Sequence, residues 1–114
     1  MKAAFERLVL RELDSLPAWV RGRLDNLAFV VEEESEEDLL GLFEGPSLLE
    51  REPGAMEAPA RITLYRKEIE EEAGDASDIR RVVRETLAHE IGHFFGMTEE
   101  EIGRFEEKWA REAT

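Results

Sequence analysis

The two histidines of the chain lie four residues apart, at His89 and His93, and Glu90 directly follows the first. On an α-helix, positions four apart differ by about 40° around the axis, so the two imidazoles project side by side, one turn apart. Two such imidazoles can bind one zinc ion, and the adjacent carboxylate can accept a proton from water that the ion activates. The spacing therefore predicts His89 and His93 as zinc ligands and Glu90 as a general base.

A simpler interpretation is an ordinary helix surface. Acidic residues are abundant in this chain, 28 against 15 basic residues, and short motifs also arise by chance. The neighbouring residues favour a site, because an apolar face lies about 140° from the histidines. That face consists of Val83, Leu87, Ile91 and Phe94. The helix is thus predicted to have a core side and a separate site side.

A catalytic zinc site takes a third protein ligand, and the chain has neither a third histidine nor a cysteine to supply it. Gly96 permits a left-handed turn after His93 that would bring the chain back towards the metal. Glu99 then falls within reach and is predicted to be the third ligand. Two alternatives stay open, Glu100 as the ligand or water alone. A competing role for both acids is favourable charge at the N-terminus of the next helix.

Several segments of the chain carry helical signals, and the histidines lie in one of them. Apolar residues at helical spacing, capping residues and terminating glycines or prolines mark the bounds. The predicted helices span residues 3–16, part of 17–24, 67–74, 77 or 78 to 96, and 99 to about 110. Thr98 and Glu101 match a capping box at the start of the last helix.

The remaining segments predict a small sheet and one long loop. β-branched and aromatic residues predict strands at 27–34 and 61–66, while 39–45 is either a short strand or an extended segment. Residues 46–59 contain three of the four prolines and are predicted to form a surface loop. Helices at both ends flank the sheet, so we predict an α+β fold in a single domain over residues 1–114.

Composition limits the partners and the compartment. The net charge of −13, with no basic stripe to offset it, argues against nucleic acid and is compatible with basic or neutral peptides. Without cysteine, disulfides and thiolate ligands are excluded, so nitrogen and oxygen must hold any transition metal. Charged residues interrupt the apolar positions of residues 1–17, so neither a signal peptide nor a membrane span is predicted, and the expected location is cytoplasmic.

The continuous stretch HEIGHFFGMTEEEI, residues 89–102, resembles the small bacterial zincin-like metallopeptidases, a family also described as a minimal metalloprotease-like domain. It is also similar to the metzincin spacing HExxHxxGxxH, with an acid in place of the last histidine. The resemblance extends to LDSLP at 13–17, DLLGLFEG at 38–45 and RITLYRKEIE at 61–70. Nearly the whole chain is therefore covered by similar landmarks.

This resemblance implies a minimal zincin-like fold in which His89 and His93 bind Zn²⁺, Glu90 is the base and an acid at Glu99 completes the site. Two positions depart from the family pattern. Phe94 stands where members often carry another histidine, and Glu99 stands where aspartate is common. The longer side chain of Glu99 leaves its ligation open, whereas the expectation of a zincin fold is unaffected.

In zincins, an edge strand beside the active-site helix usually holds an extended substrate by backbone hydrogen bonds. Residues 61–66 are predicted to be that strand. Tyr65 either donates a hydrogen bond to a developing oxyanion or is a strand-end side chain. Trp19 and Trp109 are predicted to pack as anchors of the terminal helices.

Three functions are compatible with these residues. The first is a zinc-dependent metallopeptidase that hydrolyses peptide bonds through a metal-activated water, with Glu90 as the general base and a peptide or protein as the substrate. The second is a zincin-fold module, weak or inactive as a catalyst, that binds metal or another protein. The third is a structural or regulatory protein in which the histidine pair is incidental.

Overall fold

A computed structural model describes residues 2–50 and 59–113 of the chain. The helices are α1 (Lys2–Asp14), α2 (Ala18–Arg21), α3 (Arg66–Ala73), α4 (Ile79–Phe95) and α5 (Glu99–Glu112). The strands are β1 (Leu27–Glu32), β2 (Gly41–Glu44) and β3 (Ala60–Tyr65), and 3₁₀ turns occupy Leu48–Glu50 and Ala76–Asp78. The predicted α+β class is confirmed. Residues 51–58 of the predicted loop lie outside the described residues.

The sheet has the strand order β1-β3-β2. β1 runs parallel to β3, with Leu27 opposite Ala60, and β2 runs antiparallel to β3, with Gly41 opposite Leu64. The prediction that residues 61–66 form an edge is therefore wrong, because β3 is paired on both sides. Alternating side chains mark a strand, but they carry no information about its neighbours. The edge strand that packs against α4 is β2.

The predicted core side of α4 is confirmed. Its fully buried side chains include Val83, Leu87, Ile91 and Phe94. The helix ends in a Schellman motif, in which the Gly96 amide donates to the His93 carbonyl (3.0 Å) and the Met97 amide donates to the Gly92 carbonyl (2.9 Å). Gly96 has φ 76° and ψ 27°, a left-handed conformation that glycine adopts readily. The chain therefore turns sharply directly after the second histidine.

Helix α5 begins at the predicted capping box. Thr98 Oγ1 accepts a hydrogen bond from the Glu101 amide (3.2 Å), and the Thr98 amide donates to the Glu101 carboxylate (2.8 Å). A Cβ at Gly92 would clash with Ile102 of α5, so the absence of a side chain there allows the two helices to approach closely. The first turn of α5 is thereby held beside the C-terminal half of α4.

The two tryptophans differ in their surroundings. Trp109 is fully buried and its Nε1 donates to Ser15 Oγ at 2.9 Å, which confirms it as an anchor of α5 on the end of α1. Trp19 is 52% exposed, yet its ring packs against those of Phe95 and Phe105, with centroids 5.9 and 6.1 Å apart, so it is an anchor that is only partly buried. Helix α2 has only one turn and buries Val20, which leaves the rest of the Trp19 ring in solvent. None of the helices within residues 2–50 and 59–113 is long or apolar enough to cross a bilayer.

A buried carboxylate joins α1 to α4. Glu12 is fully buried and accepts hydrogen bonds from Arg80 Nε at 2.9 Å and from Arg84 Nε at 3.1 Å. A carboxylate in the interior is tolerated when it is paired and hydrogen-bonded, as it is here. The hydrogen bonds of Glu12 with the two arginines therefore orient α1 on α4, the helix that carries the histidines.

Replacing Glu12 with glutamine is expected to lower the free energy of unfolding by about 3 kcal/mol, because the mostly buried Arg84 guanidinium then lacks a counter-charge. Urea denaturation measures this change. Glu6→Gln, at an exposed position of the same helix, is the matched control and should leave the unfolding midpoint in place. A loss below about 1 kcal/mol would mean that the two arginines gain enough hydration to replace the pair.

Candidate metal centre

The two histidines lie next to each other on α4, as their spacing predicts. The ring centroids of His89 and His93 are 4.6 Å apart, and the rings are inclined by 79°. Both side chains are partly exposed. The core side of α4 anchors the helix, so its rigid backbone fixes the separation of the two imidazoles. Both rings can therefore reach one ion that enters from solvent.

Glu99 of α5 joins the histidines. Its Oε1 lies 3.7 Å from His89 Nε2 and 3.8 Å from His93 Nε2. One ligand atom from each of the three residues lies within 4.8 Å of the other two. The Schellman turn and the capping box place Glu99 at the first position of α5, which explains how a residue ten positions after His89 returns to it.

Glu100 is directed elsewhere. Its carboxylate accepts a hydrogen bond from Arg104 Nη1 at 2.7 Å, one turn further along α5. The pair lies on the exposed surface of the helix. Of the two acids that the sequence left as alternatives, the structure thus brings Glu99, and not Glu100, to the histidines.

The donor set fits zinc. Two imidazoles and one carboxylate form a donor set found in catalytic zinc sites, which keep a fourth position open. Donors at zinc distances in a tetrahedral site lie about 3.3 Å apart. The observed separations of 3.7 and 3.8 Å between Glu99 and the two histidines exceed that value by a few tenths of an ångström. The three ligand atoms lie within 4.8 Å of one another, so closure around one ion requires rotation of the side chains, and Glu99 has room to rotate at 76% exposure.

Glu90 lies between α4 and β2 rather than in the solvent. Its side chain is 12% exposed, and its Oε1 lies 3.5 Å from Nδ1 of His93. Nε2 of the same imidazole faces Glu99, so a metal at Nε2 leaves the proton of the neutral ring on Nδ1, next to Glu90. The carboxylate therefore adjoins the ligands without being one of them.

A cavity of about 450 Å³ opens beside these residues. Its walls come from β2 and the residues before it, from α4, and from acidic residues of α3 and α5. The lining residues are Leu39, Leu40, Gly41, Glu72, Arg81, Val82, Glu85, Thr86, His89, Glu90 and Glu106. One metal-ligand candidate and the base candidate thus share a single concave surface, as expected for a substrate site.

The cavity is negatively charged. Four carboxylates, those of Glu72, Glu85, Glu90 and Glu106, face one guanidinium, that of Arg81, which is itself paired with Glu85. Burial, followed by the negative charge of Glu85, raises the pKa of Glu106 above its ordinary value. The crowding of acids on this wall favours a cationic ligand.

Tyr65 lies away from the cavity. Side chains alternate along β3, so Tyr65 shares a face with Arg61, whereas Leu64 is on the opposite, core-facing side. Burial, and then the charges of Glu44 and Glu32, raises the pKa of the phenol. Tyr65 is not among the residues that line the cavity. The strand-end role, one of the two left open by the sequence, fits this position.

Sequence reasoning missed two glycines that shape the site. A Cβ at Gly41 would lie 2.7 Å from Thr86 Cγ2 and 3.3 Å from Glu90 Cγ, so the strand approaches α4 closely only at a residue without a side chain. Gly92 plays the same role against α5. A glycine inside a helical pattern, between two candidate ligands, is a signal for such close packing. Gly41 carries no comparable local signal, because its contacts are distant in sequence.

Comparison with known proteins adds an independent finding. A family model described as zincin-like metallopeptidase matches residues 24–109. The matched segment contains the three strands, both histidines, Glu90 and Glu99. No curated protein matches the chain.

Proposed function

The chain belongs to the zincin-like metallopeptidase family, and from that premise we propose that it is a zinc-dependent peptidase. In this proposal His89, His93 and Glu99 hold Zn²⁺, and Glu90 is the general base. One observation carries the proposal: three ligand atoms converge within 4.8 Å beside a buried glutamate, and this glutamate opens onto the same cavity as His89.

The reaction assigns a separate task to each side chain. Zinc, when bound, supplies a Lewis acid that polarises a carbonyl group and lowers the pKa of water to about 7. Glu90 accepts a proton from the attacking water and delivers it to the nitrogen of the leaving amine. The position of Glu90, packed between α4 and β2 and mostly excluded from solvent, keeps its carboxylate directed at the cavity. His89 and His93 remain neutral ligands, and β2 orients the peptide.

The edge strand β2 takes the substrate-holding role that the sequence assigned to β3. The Tyr65 amide donates to the Leu40 carbonyl at 3.0 Å, so residues 40, 42 and 44 direct their backbone groups towards β3. Gly41 and Phe43 then present their N–H and C=O groups on the side of β2 that faces away from β3. An extended peptide that pairs with this edge passes the cavity at Gly41 and reaches Glu90.

The substrate we propose carries lysine or arginine next to the scissile bond. The acidic wall of the cavity attracts a cationic head group, and Leu39, Leu40 and Val82 offer apolar surface to its aliphatic stem. The net charge of −13 adds a long-range attraction for basic peptides.

Mass spectrometry of a mixed-sequence peptide library, incubated with the zinc-loaded chain, tests both parts of the proposal. Cleavage is expected with zinc and is expected to stop with a chelator. Three peptides that differ only in having lysine, norleucine or glutamate at the flanking position should then be cleaved in that order. The step from lysine to norleucine, which removes only the amine, should cost about tenfold in kcat/KM.

The outcomes separate the two parts. Zinc binding without cleavage of any library peptide would contradict the peptidase function. Equal cleavage of the lysine and norleucine peptides would contradict the charge preference and leave the peptidase function standing.

A second candidate is a zincin-fold module that binds metal or a protein partner without turnover. The four-residue length of β2 favours it, since so short an edge offers few backbone groups to a substrate. A Glu90→Gln chain, compared with the parent, distinguishes this candidate from the peptidase.

A further inference from the structure

We propose that Gly41 is a positioning residue for Glu90, and that its missing side chain sets where the carboxylate of Glu90 lies. The proposal rests on the role of Glu90 in the proposed function. It also predicts a ligand-binding effect that can be measured without any peptide cleavage.

Strand β2 and helix α4 approach each other closely at Gly41. A Cβ built on Gly41 would lie 2.7 Å from Thr86 Cγ2, 3.2 Å from the Thr63 carbonyl oxygen and 3.3 Å from Glu90 Cγ. The backbone of Gly41 does not have a positive φ, unlike that of Gly45, Gly74 and Gly96. Glycine is therefore needed at this position because a side chain would not fit, and not because the backbone conformation excludes other residues. Any side chain at residue 41 would displace the strand, the threonine or the stem of Glu90.

The surroundings of Gly41 leave little room for adjustment. Thr86 Oγ1 donates to the Val82 carbonyl at 2.8 Å, which fixes the rotamer that directs its methyl group at Gly41. Thr86 and Glu90 are one turn apart on α4, so both face the strand. The Thr63 carbonyl belongs to the central strand, which is held on both sides. The stem of Glu90 is the most adjustable of the three neighbours.

Packing, rather than a strong hydrogen bond to His93, holds the Glu90 carboxylate. Its distance of 3.5 Å from His93 Nδ1 exceeds that of an ordinary hydrogen bond between nitrogen and oxygen. The aliphatic stem is confined between α4 and β2, where Gly41 forms the facing surface. A change at residue 41 is therefore transmitted directly to the carboxylate.

The same residue faces the proposed substrate. Gly41 presents its backbone N–H and C=O on the side of β2 that faces away from β3, because Leu40 bonds to Tyr65 and the orientation alternates along the strand. One residue thus sets the position of the base and the position of the peptide strand relative to it. A displacement of about 1 Å in such a geometry can cost about 100-fold in rate.

The Gly41→Ala chain tests the proposal, with acetohydroxamate as the probe. A hydroxamate chelates zinc and donates a hydrogen bond to a neighbouring carboxylate, so its affinity reports where Glu90 lies. Zinc content should stay at the parent level, because the three atoms nearest to a Cβ at residue 41 belong to Thr86, Thr63 and Glu90 and to none of the ligand candidates. Acetohydroxamate affinity should fall about tenfold.

A matched glycine provides the control. Gly103→Ala makes the same chemical change on α5, where a Cβ meets no atom within 4 Å. That chain should bind zinc and acetohydroxamate as the parent does. In a Glu90→Ala background, which has no stem to displace, Gly41→Ala should have no further effect on acetohydroxamate affinity. An equal further loss in that background would overturn the proposal.

Thr86→Ser supplies a rescue. It removes the methyl carbon nearest to the new Cβ and keeps the hydroxyl that donates to Val82. The Gly41→Ala, Thr86→Ser chain should recover part of the lost affinity. If Gly41→Ala alone does not fold, this double variant is compared with Thr86→Ser, and a loss of about threefold or more is expected because the Glu90 contact persists.

Parent-like acetohydroxamate affinity in a folded, zinc-loaded Gly41→Ala chain would overturn the role of Gly41. If that chain does not fold, an affinity of the double variant equal to that of Thr86→Ser would overturn it. A parent that binds zinc and acetohydroxamate but cleaves no peptide would instead contradict the proposed function, and the affinity comparison would still decide the role of Gly41.

Discussion

The His93→Ala chain is expected to hold no zinc under conditions in which the parent binds one ion per chain. His93 supplies one of the three side-chain donors that converge within 4.8 Å, and an exposed carboxylate and one imidazole remain without it. Loss of a residue that merely orients a ligand costs about 10- to 100-fold in metal affinity, so loss of a ligand should cost more than 100-fold. Metal analysis by mass spectrometry, on protein purified without chelator, measures the ratio of zinc to chain.

The neighbouring acids provide controls for this result. Glu100→Gln removes the charge that pairs with Arg104 and should leave one zinc per chain. Glu99→Gln replaces the carboxylate that faces both histidines and should weaken zinc binding. If the parent binds no zinc after reloading, or if the His93→Ala chain still binds it, the histidine pair is part of an ordinary helix surface and not a zinc site.

Local signals in the sequence were sufficient to predict that His89, His93 and Glu99 lie together. The four-residue spacing of the histidines depends only on helix geometry. The approach of Glu99 follows from two short-range motifs, the glycine turn at Gly96 and the capping box at Thr98. Each motif closes within a few residues, so each can be recognised without knowledge of the rest of the fold.

The features that the sequence did not predict depend on contacts between distant segments. The central position of β3 follows from pairing with two strands that precede it in the chain, and alternation within β3 cannot specify those partners. Gly41 is required by Thr86 and Glu90, which lie more than forty positions away. Trp19 packs against Phe95 and Phe105 but stays half exposed, because the short α2 offers little surface to bury. These are consequences of tertiary packing, which overrides local preference.

The Glu90→Gln chain is expected to bind zinc and peptide like the parent and to lose about 100- to 10,000-fold in kcat, the range found for a positioned general base. Glutamine has nearly the shape of glutamate, so its stem fits the space between α4 and β2, but its amide cannot accept a proton from water. The measurement is kcat and KM for one cleaved library peptide, with zinc content determined on the same samples. A KM that stays constant while kcat falls locates the effect in the chemical step.

Glu106→Gln makes the matched comparison. It applies the same substitution to another carboxylate of the same cavity, whereas Glu90, next to His93, is the one assigned as base. Its kcat for a neutral peptide should stay within about tenfold of the parent value, since it removes only charge from the wall of the cavity. Equal activity of the Glu90→Gln chain and the parent would show that Glu90 is not the base. Zinc and peptide binding by a parent that never cleaves would favour the binding module instead. The two variants therefore distinguish the effect of lowering the negative charge of the cavity from the effect of removing the carboxylate at position 90. The peptidase proposal requires the second effect to be the larger.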